Sequence, residues 1–396
     1  MSEAPRDSAT PRDPMSLVVG AIAAQVIGGL VTQMSPLMIG GFMQGLALSA
    51  RDAGFVASVE FLTLAVTAIA IAPVLPQLSN RSVGLVAVAL ALLAQGAAIF
   101  SASLALLALL RGVAGIGEGA LYAVSLSIIA SRSRNPDKIY GYFQLAWAMG
   151  SVVLFSVGGQ LTAAFGHRGI LGLIAAVTLV LAPLLLFIPK ARGGCDDGPA
   201  IHTPPSVLLH GVMTLAAIAL YLTASAALYA FSAPLGERAG LDAGAVGYAL
   251  TAGTLVGLAG AGAATALNVR WGRAIPISGF SIGFPIVALM LCFSRNPTAY
   301  VFAIVASCVI FYFSMPYLFG LAAALDRHGR WAAAAGSGYL IGFAIGPLVA
   351  GSVIGMAGYA GLAALCVATT AAAWGLAMIV NRRLGRTARA EGAAPV

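Results

Sequence analysis

Lys190-Ala-Arg192-Gly-Gly-Cys195-Asp196-Asp197-Gly-Pro199-Ala-Ile-His-Thr-Pro204-Pro205 is the longest internal polar stretch of a 396-residue chain that is otherwise nearly all apolar. Its glycines, prolines and paired aspartates mark a linker rather than a helix. Outward from it lie apolar runs of about 20 residues, the length that crosses the hydrocarbon core of a bilayer as a helix. They cover 15–45, 52–77, 82–102, 104–131, 139–165 and 169–189 before the linker, and 206–235, 243–268, 275–294, 297–324, 331–355 and 358–381 after it. Six spans stand on each side. The halves also repeat one another, because a single shift lays Gly150 on Gly342, Gly159 on Gly351, Gly166 on Gly358, Gly169 on Gly361 and Arg81 on Arg273. The reading is an all-α membrane protein of 12 transmembrane helices in two parallel six-helix repeats, with a site expected between the repeats near mid-membrane. Its parts are a tail (1–14), a bundle (15–189), the linker (190–205), a second bundle (206–381) and a second tail (382–396).

Composition agrees. The chain is 60% hydrophobic and 9% charged, where soluble domains carry about a quarter charged residues. The net charge of +8 is topological, because the basic residues gather in the termini, the linker and alternate loops. Arg51, Arg168, Arg238 and Arg295 alone fall in the other set of loops. That asymmetry predicts that both termini and the linker are cytoplasmic, in a cell inner membrane, with no nucleic-acid partner. Cys195, Cys292, Cys308 and Cys366 have no CxxC spacing, so neither a metal site nor a disulfide framework is expected. The first apolar run is too long for a signal segment and reads as a retained span. A monomer in the lipid bilayer is the expected form, without a cofactor.

Three charged side chains lie well inside the spans: Glu60, Arg111 and Glu118. Ionisable groups are costly in a bilayer and usually mark a solute or proton path. Glu60 and Arg111 sit at matching depths, and Glu118 shares a helix face with Arg111 about 10 Å further along. These three are the candidates for proton coupling, with one or other glutamate as the switching partner of Arg111. Polar and aromatic stripes at helical spacing mark the spans that face the repeat interface. The candidate substrate contacts are Gln25, Gln33, Arg111, Tyr122, Gln144, Trp147, Tyr221, Ser225, Tyr229, Tyr312 and Tyr317. A competing reading of the stripes is hydrogen-bonded helix packing.

Arg111-Gly-Val-Ala-Gly115-Ile-Gly117-Glu118-Gly119 resembles the fourth-helix motif of the major facilitator superfamily. Leu78-Ser79-Asn80-Arg81 looks like a remnant of that family's gating motif, with Asn80 where an acid would stand. An antiporter-type Gly-Pro is missing from the fifth span and occurs instead as Gly346-Pro347 in the eleventh. The resemblance extends from the first span to the twelfth and implies a secondary transporter working by alternating access.

Other function classes lack their parts. There is no HExxH, GxSxG or GxxxxGK[ST], so neither an enzyme nor an ATP-driven pump is expected. A channel would show a ring of like charges or a repeated filter. The reading is a proton-coupled carrier of a small organic solute, with an aromatic compound or an organic anion clasped by Arg111 as its cargo. The alternative is a proton-antiport exporter of drugs or metabolites.

Overall fold

A computed structural model describes residues 14–132, 136–188, 205–268, 270–325 and 330–390. The linker expected at 190–205 lies outside the described residues except for Pro205. Apolar segments in a bilayer must satisfy every backbone group internally, and each predicted span is helical. In chain order these are α1 (Met15–Gly45), α2 (Ala50–Ile71), α3 (Asn80–Ile99), α4 (Leu104–Arg132), α5 (Pro136–Phe165) and α6 (His167–Leu181). The second set is α7 (Pro205–Ala230), the short α8 (Ser232–Arg238), α9 (Ala243–Leu267), α10 (Ala274–Phe293), α11 (Pro297–Ala323) and α12 (Arg330–Ala390).

Capping side chains and prolines set the boundaries. Ser49, Asp242 and Asn296 accept hydrogen bonds from the first-turn amides of α2, α9 and α11, at 3.1, 2.6 and 2.8 Å. The second span was read to residue 77, but α2 ends at Ile71 and a 3₁₀ turn covers Leu75–Gln77, because Pro73 and Pro76 cannot continue the ladder. The seventh span was read to 235. Here α7 stops at Ala230, whose carbonyl the ring of Pro234 would meet in a continuous helix, and the chain resumes as α8.

α12 contains two spans. As one rod its 61 residues would reach about 90 Å, roughly three hydrocarbon thicknesses. Gly358, at φ 63° and ψ −165°, breaks it at the expected boundary. Gly166 has φ 57° and ψ −137° between α5 and α6. These two glycines are partners in the sequence repeat, so the repeat is also present in the backbone: each half reverses at its fifth-to-sixth span junction through a conformation that suits glycine.

Helices α1–α6 pack on one another, as do α7 and α9–α12, and the halves meet where α2 packs on α12, α5 on α9 and α1 on α8. Chain direction puts every one of these close cross-half approaches away from the linker, on what we term the far side. A Cβ on Gly54 would run into the Pro347 carbonyl, and one on Gly159 would lie 2.7 Å from the Ala243 carbonyl. Beside that glycine, Ser156 Oγ and Thr251 Oγ1 are 3.3 Å apart across the halves. Small residues allow helix backbones to close the far side.

Candidate functional site: a central cavity and a buried ion trio

Between the halves, from mid-depth toward the linker side, lies a cavity of about 480 Å³. Its volume is in the range of small-molecule sites. Gln25, Gln33, Tyr122, Trp147, Ser225, Tyr229 and Tyr312 line it, seven of the substrate contacts expected from the sequence. Tyr229 donates its hydroxyl to the Gln33 carbonyl at 2.8 Å and so ties α7 to α1 across the interface. Gln33 in turn donates to Ser151 at 3.2 Å.

The other expected contacts fall elsewhere. Tyr221 is 1% exposed and packs edge-on against Phe280, inside the second half. Tyr317 donates to the Asn268 carbonyl at 3.0 Å, at the end of α9. Both belong to polar stripes, but the stripe alone does not separate a cavity wall from a seam within one bundle. The Gln144 side chain lies outside the described residues. Arg111 is 0% exposed within the first half and is not part of the wall.

Phe61, Phe319 and Phe343, which the sequence reading passed over, complete the wall together with Tyr339. Phe61 of α2 meets Phe343 of α12 at 5.7 Å, Phe343 stacks on Tyr339 at 5.9 Å, and Tyr339 stacks on Phe319 of α11 at 6.4 Å. Phe is common throughout the spans, so only the register of this ladder, crossing from one half to the other, distinguishes it. No side chain with a formal charge occurs among the described lining residues. Thr32, Thr254 and Ser307, which also line it, donate their hydroxyls to carbonyls of their own helices at 2.6, 3.0 and 2.7 Å. Such back-bonding is a third fate for a polar stripe, neither glue between helices nor an open substrate donor.

The three embedded charges come together inside the first half. Arg111 of α4 forms a salt bridge with Glu60 of α2, with Nε donating to Oε2 at 2.9 Å. A terminal nitrogen also lies 3.6 Å from the Met38 sulfur of α1. Glu118 accepts from Gln95 Nε2 of α3 at 2.8 Å, and its carboxyl lies beside that of Glu60. All three charged side chains are 0% exposed. Among the described residues, Arg111 Nη1 and Glu118 Oε2 have no hydrogen-bond partner.

The motif glycines build this cluster. A Cβ on Gly115 would strike the Glu60 carbonyl, and one on Gly117 would strike the Ala87 carbonyl of α3. Their absence lets α4 sit against α2 and α3 closely enough to bring Arg111 to Glu60 and Glu118 to Gln95. The trio also adjoins the cavity through the chain: Glu60 precedes Phe61, and Glu118 is one turn from Tyr122. Asn80, in the place of the gating-motif acid, is 1% exposed, and neither amide atom has a hydrogen-bond partner among the described residues.

Comparison with known proteins decides the family. The sequence profile of the Major Facilitator Superfamily matches residues 21–325. The chain belongs to the major facilitator superfamily. No curated protein sequence matches it. Among the solved structures that share its fold are two of a bacterial homologue of the human lysosomal transporter Spinster. The inward-facing, unoccupied form is 15% identical, with a TM-score of 0.67 over 94% of this chain and 97% of that one. The inward-facing, occupied form is 14% identical, with a TM-score of 0.71 over 93% and 96%. This major facilitator protein is therefore a multi-pass membrane transporter and not an enzyme, a secondary carrier that binds a small molecule and works by alternating access.

Proposed function

We propose that this transporter couples passage of a small organic solute through the central cavity to protons carried by Glu60 or Glu118, with Arg111 as the switching partner, in an inner membrane with linker and termini cytoplasmic. The orientation is supported by the segregation of Arg and Lys into the termini, the linker and alternate loops. Coupling is supported by one observation above all: two carboxyls and a single guanidinium share a pocket from which water is excluded. With both carboxyls ionised the cluster carries a net buried charge, which is costly, and one exchangeable proton removes it. The guanidinium also has a second place to go. Its unpartnered Nη1 and the unpartnered Glu118 oxygen allow Arg111 to trade Glu60 for Glu118 as the helices rearrange. Movement of Phe61 or Tyr122 by a bound solute would reach the trio along α2 and α4.

The sequence left two cargo classes open, and Arg111 as a clasp for an organic anion requires its bond to Glu60 to break first. Proton-antiport efflux is the second reading, favoured by the uncharged wall. Proteoliposomes test the coupling, using whichever solute raises the unfolding temperature of the purified protein in a broad screen. Glu118→Gln is expected to abolish proton-driven accumulation while solute exchange at equal concentrations continues. Accumulation that survives the change, or loss of both activities in folded protein, contradicts coupling through this carboxyl.

A further inference from the structure

The wall of the cavity says which chemistry it accepts, and this inference rests on the transport reading above. A solute carried by alternating access passes through a state closed on both sides, so its water is stripped and the wall must replace it. An ion in that state needs a counter-charge or several aimed dipoles. The described wall offers no formal charge, and Arg111, the nearest guanidinium on α4, is held by Glu60 behind the wall. What the wall does offer is a run of ring faces from Phe61 through Phe343 and Tyr339 to Phe319, spaced 5.7 to 6.4 Å between centroids. Beside it, Gln25 is 5% exposed, and its buried Oε1 has no hydrogen-bond partner among the described residues. A buried amide oxygen left unpaired destabilises the protein, and a ligand N–H or O–H placed there removes the cost.

We infer that the cavity takes an uncharged aromatic solute that bears a hydrogen-bond donor, its ring lying along the Phe61–Phe343–Tyr339 ladder and its donor bonded to Gln25 Oε1. Offset and edge-on ring contacts supply attraction without a formal charge on either partner. That acceptor, with the buried Ser225 hydroxyl also on the wall, then sets orientation. Neither an organic anion nor an organic cation finds a partner of opposite charge in this wall.

Two ring sizes, indole and carbazole, test this in four forms each: the parent N–H compound, its N-methyl derivative, a carboxymethyl anion and an aminoethyl cation. Binding is measured by equilibrium dialysis against the full-length protein in nanodiscs, with empty nanodiscs as blank. The expected order is parent tightest, N-methyl about 5- to 10-fold weaker for the lost bond, the cation about 10-fold weaker because the ring faces offset part of its desolvation, and the anion weaker by about 100-fold. In Gln25→Leu the parent and the N-methyl compound should bind alike, and in Phe343→Ala all forms should weaken together. An anion or cation that binds as tightly as the parent overturns the inference, as does the absence of binding above blank in both ring series. The two readings fail separately. A neutral ligand that binds but is never moved in vesicles contradicts transport and leaves the specificity standing, whereas a charged solute that binds and is moved does the reverse.

Discussion

Glu60 and Arg111 are 51 positions apart in the sequence, and each lowers the cost of burying the other. Removing the guanidinium leaves both carboxyls buried without a counter-charge, which costs about 3–5 kcal/mol. Arg111→Met should therefore lower the unfolding temperature sharply in detergent, and adding Glu60→Gln should recover part of the loss by removing one of the two stranded carboxyls. Two independent, additive losses in the double variant would show that the pair is not the unit described here. The sequence made these residues visible because charge inside an apolar run is rare, and their matching depths pointed to contact. It did not reveal that Gln95 holds Glu118, since a lone glutamine in a helix facing lipid elsewhere carries no such signal. Nor did it separate Tyr229, which lines the cavity, from Tyr221, which packs on Phe280. Both lie on α7, and only the neighbouring helices decide which face looks inward.

Helix α4 shows how a short motif becomes an arrangement in space. Its glycines are spaced to face α2 and α3 in turn, and the charges they separate reach those same neighbours. Gly115→Ala should be strongly destabilising, because the added methyl meets the Glu60 carbonyl and the Thr63 hydroxyl. Gly96→Ala on α3 finds nothing within 4 Å. It should instead stabilise by about 0.5–1 kcal/mol through its helix preference alone. Thermal unfolding of the two variants side by side checks this, and equal effects would mean that close packing of α4 is not what positions the trio. Span number and position were legible because hydropathy reports directly on the bilayer. The ends of α2 and α7 were not, because runs of apolar residues continue past the prolines that stop the helices.

At the scale of the whole molecule the halves are joined on the far side and parted around the cavity. Besides the glycine contacts, α8 places Glu237 against α1, where a Cβ on Gly40 would lie 3.5 Å from its carboxyl oxygen. Burial pushes the Glu237 carboxyl above the usual range, with Gln44 acting in the opposite direction. A raised value in the packed state means that this contact is fully present at acid pH and weakens as pH rises through the shifted value. The far side should thus loosen as the solution becomes more alkaline, and Glu237→Gln should remove that dependence. Accessibility of Gly40→Cys to an impermeant reagent, followed against pH in both backgrounds, checks it. Little of this seal was legible in the sequence, since the residues that form it are glycine, alanine, serine and threonine, which occur throughout the chain.

Alternation of the cavity between the two faces is the central claim, and Cys308 provides a native probe within its wall. The decisive measurement uses protein in sealed, oriented vesicles with Cys195, Cys292 and Cys366 replaced and Ser156→Cys and Thr251→Cys added. Those two hydroxyls are 3.3 Å apart, so the cysteines fall within disulfide reach. The extent of Cys308 modification by a small impermeant methanethiosulfonate, applied from each face in turn, is then read by mass spectrometry. With the lock oxidised, the account predicts modification from the linker face alone; with a cysteine-free far side, Ser156 and Thr251 restored, it predicts modification from both faces. Modification of the locked protein from the far face, or failure of the unlocked protein ever to react from that face, would contradict alternating access through this cavity.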